Sequence, residues 1–219
     1  MGSKETPAPQ ANQAEKSFVL RKTPVLLPEA IAVASSAGGP QALFKLMPHF
    51  KDVMQPVFVT QHIPASFTSA LAGNIRALAR RECIEATEGM PVQAGKIYLA
   101  PGYFHMTLAQ ESSRKVIRLN QDAPENFCRP AADPMLRSLA TVYAARLLVI
   151  VLTGMGSDGL KGCEAVVGAG GTVIAQDQAS SVVLGMPGVV AGAGLCHAVL
   201  PLEDIGPYVV NLAKRGAAA

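Results

Sequence analysis

Tryptophan is missing from this 219-residue sequence, and charge is scarce, at 16% of positions against 49% apolar. So high an apolar share excludes a disordered or fibrous chain and suits a globular, enzyme-like domain. The four cysteines, Cys83, Cys128, Cys163 and Cys196, form no C-x-x-C pair. That spacing argues against a structural zinc site and a disulfide framework, and suits a reducing cytoplasm. No apolar run approaches the roughly 18 residues of a membrane span, and no apolar signal-peptide region is visible at the N-terminus. These absences predict no direct membrane insertion. The net charge of +3 is small, and the basic residues are scattered apart from pairs such as Arg80-Arg81, so nothing points to nucleic acid. No internal repeat stands out.

What is present alternates. From Ala30 onward, short apolar runs give way to longer stretches with helical spacing, which predicts an α/β fold. The expected form is a doubly wound, mostly parallel sheet with helices on both faces. Strands are expected at 30–35, 57–61, around 84–86 and 96–100, at 147–152, 172–176 and 198–200. The intervening helices are expected at 40–50, 67–80, 135–145, 160–167, 188–193 and 205–214. Residues 104–108 and 115–119 alternate in polarity across a polar turn and read as an inserted antiparallel β-hairpin at the sheet edge. Residues 1–27, with prolines among Ala, Gln, Lys and Glu, read as a linker or disordered N-terminal arm. Phe18-Val19-Leu20 is expected to dock locally. Residues 28–219 form the domain.

Three predicted strands end in residues that carry chemistry. The first runs into Ser35-Ser36-Ala37-Gly38-Gly39, the second into His62, and the third into Thr153-Gly154-Met155-Gly156-Ser157-Asp158-Gly159. Ligands of open parallel sheets bind at such strand ends. A serine hydroxyl becomes a useful nucleophile when an imidazole takes its proton and a carboxylate orients that imidazole. Ser36, His62 and Asp158 supply that inventory. Their chain order differs from that of the α/β-hydrolases and from both well-known serine protease orders. Asp158 also suits the N-cap of the helix that follows it. His49, His105 and His197 lack the spacing of metal ligands, and no metal or cofactor is expected. A non-catalytic signalling module that binds an anion at the Ser36 turn is the rival reading.

The stretches ASSAGGPQA (34–42), TQHIPASFT (60–68), KIYLAPG (96–102), VLTGMGSDGLKG (151–162), GGTVIAQDQASSVVLGMP (170–187) and VLPLEDI (199–205) occur in family order. Together they resemble the catalytic domain of the chemotaxis receptor methylesterases, the CheB type. The resemblance implies a cytoplasmic serine hydrolase acting on glutamyl methyl esters of chemoreceptor helices, with glutamine deamidation as a second activity. By position it implies Ser36 as nucleophile, His62 as general base and Asp158 as the orienting carboxylate. Backbone N–H groups of Met155 and Ala37 would form the oxyanion hole. Arg129, Asp133 and Met186 are candidate substrate contacts. Two positions depart from the family pattern: Ala37, where threonine is common, and Gly188, where a basic residue is common. Family members usually carry an upstream phosphorylatable receiver domain, which these residues do not include.

Overall fold

The structure, a computed structural model, describes residues 18–22 and 24–214. The remainder of the expected arm, residues 1–17 and 23, lies outside the described residues. Of its docking segment, Phe18 packs against the core and Arg21 donates its N–H to Cys196 O, while Val19 is exposed.

The strands are β1 (Ala30–Ser35), β2 (Val57–Gln61), β3 (Cys83–Glu85), β4 (Ile97–Leu99), β5 (His105–Glu111), β6 (Arg114–Asn120), β7 (Leu147–Val151), β8 (Thr172–Gln176) and β9 (Ala198–Leu200). The helices are α1 (Gly39–Leu46), α2 (Thr68–Ala79), α3 (Ala132–Tyr143), α4 (Leu160–Gly168), α5 (Gly185–Gly192) and α6 (Leu202–Lys214). Seven strands form one sheet in the order β3-β4-β2-β1-β7-β8-β9, and every pair in it is parallel. From β1 the chain passes to β2, then to β3 at one edge and back to β4 between them, before returning to β7 beside β1 and winding to the other edge. The β1/β7 boundary is therefore the topological switch point, where a crevice opens beyond the strand ends.

The alternation within β1 shows why the layers sit as they do. Ile31 and Val33 point into one cluster with Leu43 and Leu46 of α1, Ile75 of α2 and Val209 of α6. Ala30, Ala32 and Ala34 point the other way, toward Leu136 and Leu139 of α3, Val166 of α4 and Val190 of α5. Both faces are buried, so the central strands read as continuous apolar runs.

Boundaries differ from expectation in several places; helix α6, for one, starts at Leu202 rather than at 205. Helix α1 stops at Leu46, and Pro48 falls in a 3-10 segment from Met47 to Asp52. A proline lacks the N–H needed to continue the α-helical ladder. Helix α3 starts three residues early, with Pro134 in a first turn where the missing N–H costs nothing. The loop expected at Gly185-Met186-Pro187 is the first turn of α5, for the same reason. The hairpin is longer than predicted and forms its own two-stranded sheet rather than extending the main sheet edge, with the 89–92 segment hydrogen-bonded along β6. Its apolar side, Met106, Leu108 and Ile117, joins the cluster beneath α3.

Helices α3 and α4 pack closely because Gly162 has no side chain. A Cβ there would lie 2.6 Å from Leu136 Cβ and 3.2 Å from Asp133 Oδ1. Gly162→Ala is expected to lose about 1–3 kcal/mol of stability by overpacking. Gly168→Ala, where a Cβ meets nothing within 4 Å, should be neutral or gain up to about 1 kcal/mol. Urea midpoints of the two variants check the contrast.

Candidate active site

Beyond Ser35 the apolar run of β1 gives way to small residues, and the chain turns sharply into α1. Gly38 makes that turn at a φ of +76°, in the left-handed region, and a Cβ there would stand 2.7 Å from Val182. The two serines have separate duties. Ser35 is 0% exposed and its hydroxyl donates to Gln61 Oε1 at 2.7 Å. Ser36 is half-buried. Its N–H donates to Thr153 O at 3.0 Å, and its carbonyl accepts from Gly39 N–H at 2.8 Å and from Gln61 Nε2 at 2.9 Å. Its hydroxyl has no hydrogen-bond partner among the described residues. The backbone of Ser36 is thus fixed on three sides while Oγ is left for chemistry.

His62 follows β2 and continues the ladder, its N–H donating to Ser35 O at 3.0 Å. The same Gln61 amide that holds Ser36 also donates to His62 O at 2.9 Å. The imidazole meets Asp158, with Nε2 at 2.6 Å from Oδ2. A carboxylate can only accept, so Nε2 carries the proton and Nδ1 presents its lone pair. Ser36 Oγ and His62 are not hydrogen-bonded, so the expected contact on both sides of the imidazole is met on the Asp158 side only. Nucleophile-to-base hydrogen bonds are often long until substrate arrives.

Asp158 is 1% exposed and heavily solvated by amides. Oδ2 accepts from Ala132 N–H at 2.6 Å, and Oδ1 accepts from Asp133 N–H and Gly159 N–H at 3.0 Å each. Asn126 Nδ2 lies 3.3 Å from Oδ1. Burial alone would raise the carboxyl's pKa, but the His62 hydrogen bond and the Ala132 amide outweigh it and hold it below its ordinary 3.8. The expected N-cap role is corrected in one respect. Gly159, in a left-handed conformation, takes the N-cap of α4, and Asp158 instead caps α3 from a distance. Ala131, at the N-cap of α3, has no side chain able to do so.

The glycine-rich turn after β7 faces Ser36. A Cβ on Gly154 would fall 2.8 Å from Ser36 Cβ and 2.4 Å from Met186 Sδ, so only glycine lets the turn close on the serine. The N–H groups of Met155 and Ala37 find no acceptor among the described residues. Unpaired amides beside a nucleophile are the donors an oxyanion needs.

The three candidate substrate contacts sit elsewhere. Asp133 is buried, with Oδ1 accepting from Gly162 N–H at 2.6 Å and Oδ2 from Asn126 at 3.0 Å. Oδ1 joins α3 to α4, and Oδ2 ties α3 to the loop that precedes it. Met186 is fully buried beneath Gly154 and Ser36, a packing role. Arg129 spends Nη1 on the carbonyls of Gln121 and Asp122, which braces its own loop. Sequence reasoning missed the functional side chains of Gln61, Asn126 and Cys128. Gln61 had one available signal, a polar residue inside an apolar strand beside the histidine. Cys128 Sγ stands 3.4 Å from His62 Nδ1. Among the described residues no group of three or more His, Cys, Asp or Glu side chains is placed to hold a metal.

The family model for CheB methylesterase matches residues 31–209. The chain is 53% identical over 191 residues to a Rhodospirillum centenum protein named protein-glutamate methylesterase/protein-glutamine glutaminase of group 2 operon. It is 56% identical over 192 residues to an Azospirillum brasilense protein-glutamate methylesterase/protein-glutamine glutaminase. Each alignment takes in 87% of this chain, and 48% and 49% of the relatives respectively, so the chain spans about half the length of the curated relatives it matches. Among solved structures, the Thermotoga maritima CheB methylesterase catalytic domain superposes with a TM-score of 0.82 at 36% identity, covering 84% of this chain and 98% of that one.

The depressed Asp158 carboxyl has a measurable consequence. On unfolding it returns to its ordinary value, so the unfolded chain binds more protons as pH falls through 3.8, and stability drops there. Asp158→Asn lacks this slope. Urea titrations stepped down from pH 6 should find the native chain losing stability more steeply than the variant below about pH 5. At neutral pH the variant should be weaker by about 1–3 kcal/mol, because an amide nitrogen cannot accept from the α3 amides.

Proposed function

The chain belongs to the CheB methylesterase family, and we propose that it hydrolyses glutamyl methyl esters on the cytoplasmic helices of chemoreceptors and deamidates receptor glutamines. The observation that carries this reading is the 2.6 Å His62–Asp158 contact, which aims the imidazole's lone pair away from the carboxylate, with one Gln61 amide holding both the His62 and the Ser36 backbone. An anion-binding turn would have no use for an imidazole whose lone pair is set by a carboxylate on its other nitrogen. Residues 28–219 are read as the catalytic domain and residues 1–27 as an arm. A phosphorylatable receiver domain is the regulatory partner that the family resemblance implies.

In the proposed reaction, Ser36 Oγ attacks the ester carbonyl as His62 Nδ1 takes its proton, and Asp158 stabilises the resulting imidazolium. The tetrahedral oxygen gathers negative charge toward the amides of Ala37 and Met155. His62 then returns the proton to the departing methoxide, releasing methanol, or to the nitrogen of a glutamine, releasing ammonia. Water deprotonated by His62 frees the glutamate carboxylate and restores Ser36. Substrate size also fits. Phe127, Met155 and Val182 are 103%, 73% and 72% exposed on the three loops beside the serine, an apolar rim suited to a protein surface more than to a small ester.

Methanol release from methylated receptor membranes tests the reading. Ser36→Ala and His62→Ala should each lower the rate by at least about 1,000-fold, and the double variant should be no slower than either alone, because the residues act as a unit. Equal release by the native chain and Ser36→Ala would remove Ser36 as nucleophile.

A further inference from the structure

The lone pair that the esterase reading reserves for Ser36 already has a neighbour. Cys128 Sγ lies 3.4 Å from His62 Nδ1, while Asp158 holds Nε2 at 2.6 Å. The thiol is on the donating side of this contact. Burial first, and the Asp158 charge second, push it above its usual range, so it keeps its proton near neutrality. With Nε2–H directed at the carboxylate, Nδ1 is an acceptor, and S–H points its proton there.

Cys128 reaches the ring from a sharply bent loop. Asn126 and Phe127, just before it, take left-handed φ values of 50° and 63°, the second of which bulky side chains seldom adopt. Asn126 Nδ2 ties this bend to both Asp133 and Asp158. The loop is thereby anchored to the carboxylate that holds the other side of the imidazole. Cys83, Cys163 and Cys196 are buried in the core, and Cys128 alone of the four is half-buried.

We propose that Cys128 is a positioning residue that holds the base at rest: its thiol donates to Nδ1 of His62 and must yield that lone pair before Ser36 can transfer its proton. This rests on the esterase reading. One lone pair accepts one strong donor, so the thiol and the serine hydroxyl compete for it. No bond to sulfur forms or breaks. Engagement of Ser36 replaces an S–H donor by an O–H donor, the stronger of the two, which is why substrate that aligns the serine can displace the thiol.

The test compares the native chain with Cys128→Ala and Cys128→Ser in two measurements, at matched folded fraction by circular dichroism. The first is the rate at which a fluorophosphonate probe labels Ser36. The second is the 15N signal of His62 Nδ1. Cys128→Ala should label about two- to fivefold faster, the reach of one weak hydrogen bond, and its Nδ1 signal should move toward the unbonded imine position. Cys128→Ser, which offers an O–H donor in place of the S–H, should label no faster than the native chain and keep its Nδ1 signal away from the unbonded imine position. A Cys128→Ala variant that labels at the native rate or slower would overturn the proposal, as would an unmoved Nδ1 signal. Failure of the native chain to label at Ser36 would instead defeat the esterase reading, while the Nδ1 signal would still report on the thiol contact.

Discussion

A buried amide must find partners, and the way Gln61 finds them determines where the site residues sit. The side chain is 1% exposed at the end of β2, where an unmade hydrogen bond would cost about 1–3 kcal/mol. It takes the Ser35 hydroxyl on Oε1 and gives both Nε2 protons to backbone carbonyls, one on Ser36 and one on His62. Ser36 and His62, the proposed nucleophile and base, are therefore held by one planar group. The clamp leaves no room at the start of α1: a Cβ on Gly39 would lie 2.0 Å from Gln61 Oε1. The glycines after Ser36 thus answer two demands, a left-handed turn at Gly38 and the body of an amide at Gly39.

Asp158 makes a second fixed point by serving two purposes with one carboxylate. As the remote cap of α3 it meets the helix's positive end, whose partial charge favours an anion, and as partner of His62 it orients a ring. Capping helps explain how a carboxyl so buried stays ionised: the helix supplies the stabilisation that water no longer can. It also means that the base is referenced to α3 and, through Asp133 and Gly162, to α4. Both helices pack on the same face of the sheet, so the catalytic geometry is braced by the cluster around Ala30, Ala32 and Ala34.

Much of this was legible in the sequence, for a physical reason. Buried parallel strands are short apolar runs, so a serine, a histidine and an aspartate that end or follow such runs stand out, and their sheet edge follows from the winding rule. What could not be read was the direction in which loop residues face. Asp133 and Met186 lie in sequence beside the cleft but belong to the core, because a helix starting at Ala132 and another at Gly185 turn them inward. Prolines account for the early starts of α3 and α5, since Pro134 and Pro187 sit inside the first turns of these helices rather than before them. Gln61 looked like the polar end of a strand, and Cys128 drew no attention because cysteine patterns are read as pairs.

The site also holds features that stability alone would not select. Ala37 and Met155 keep amides unpaired, Phe127 holds left-handed backbone at about 1–3 kcal/mol, and Phe127, Met155 and Val182 leave apolar surface in water. All lie on loops around the site, while the layers beneath them are built mostly of apolar side chains. Such clustering follows if the costs serve one end: amides left open to meet an oxyanion, a strained bend to bring the 126–128 loop against His62, and an apolar rim to receive a protein segment. Were the Ser36 turn merely a tight turn, the unpaired amides could be satisfied and Phe127 turned inward with no loss to the fold.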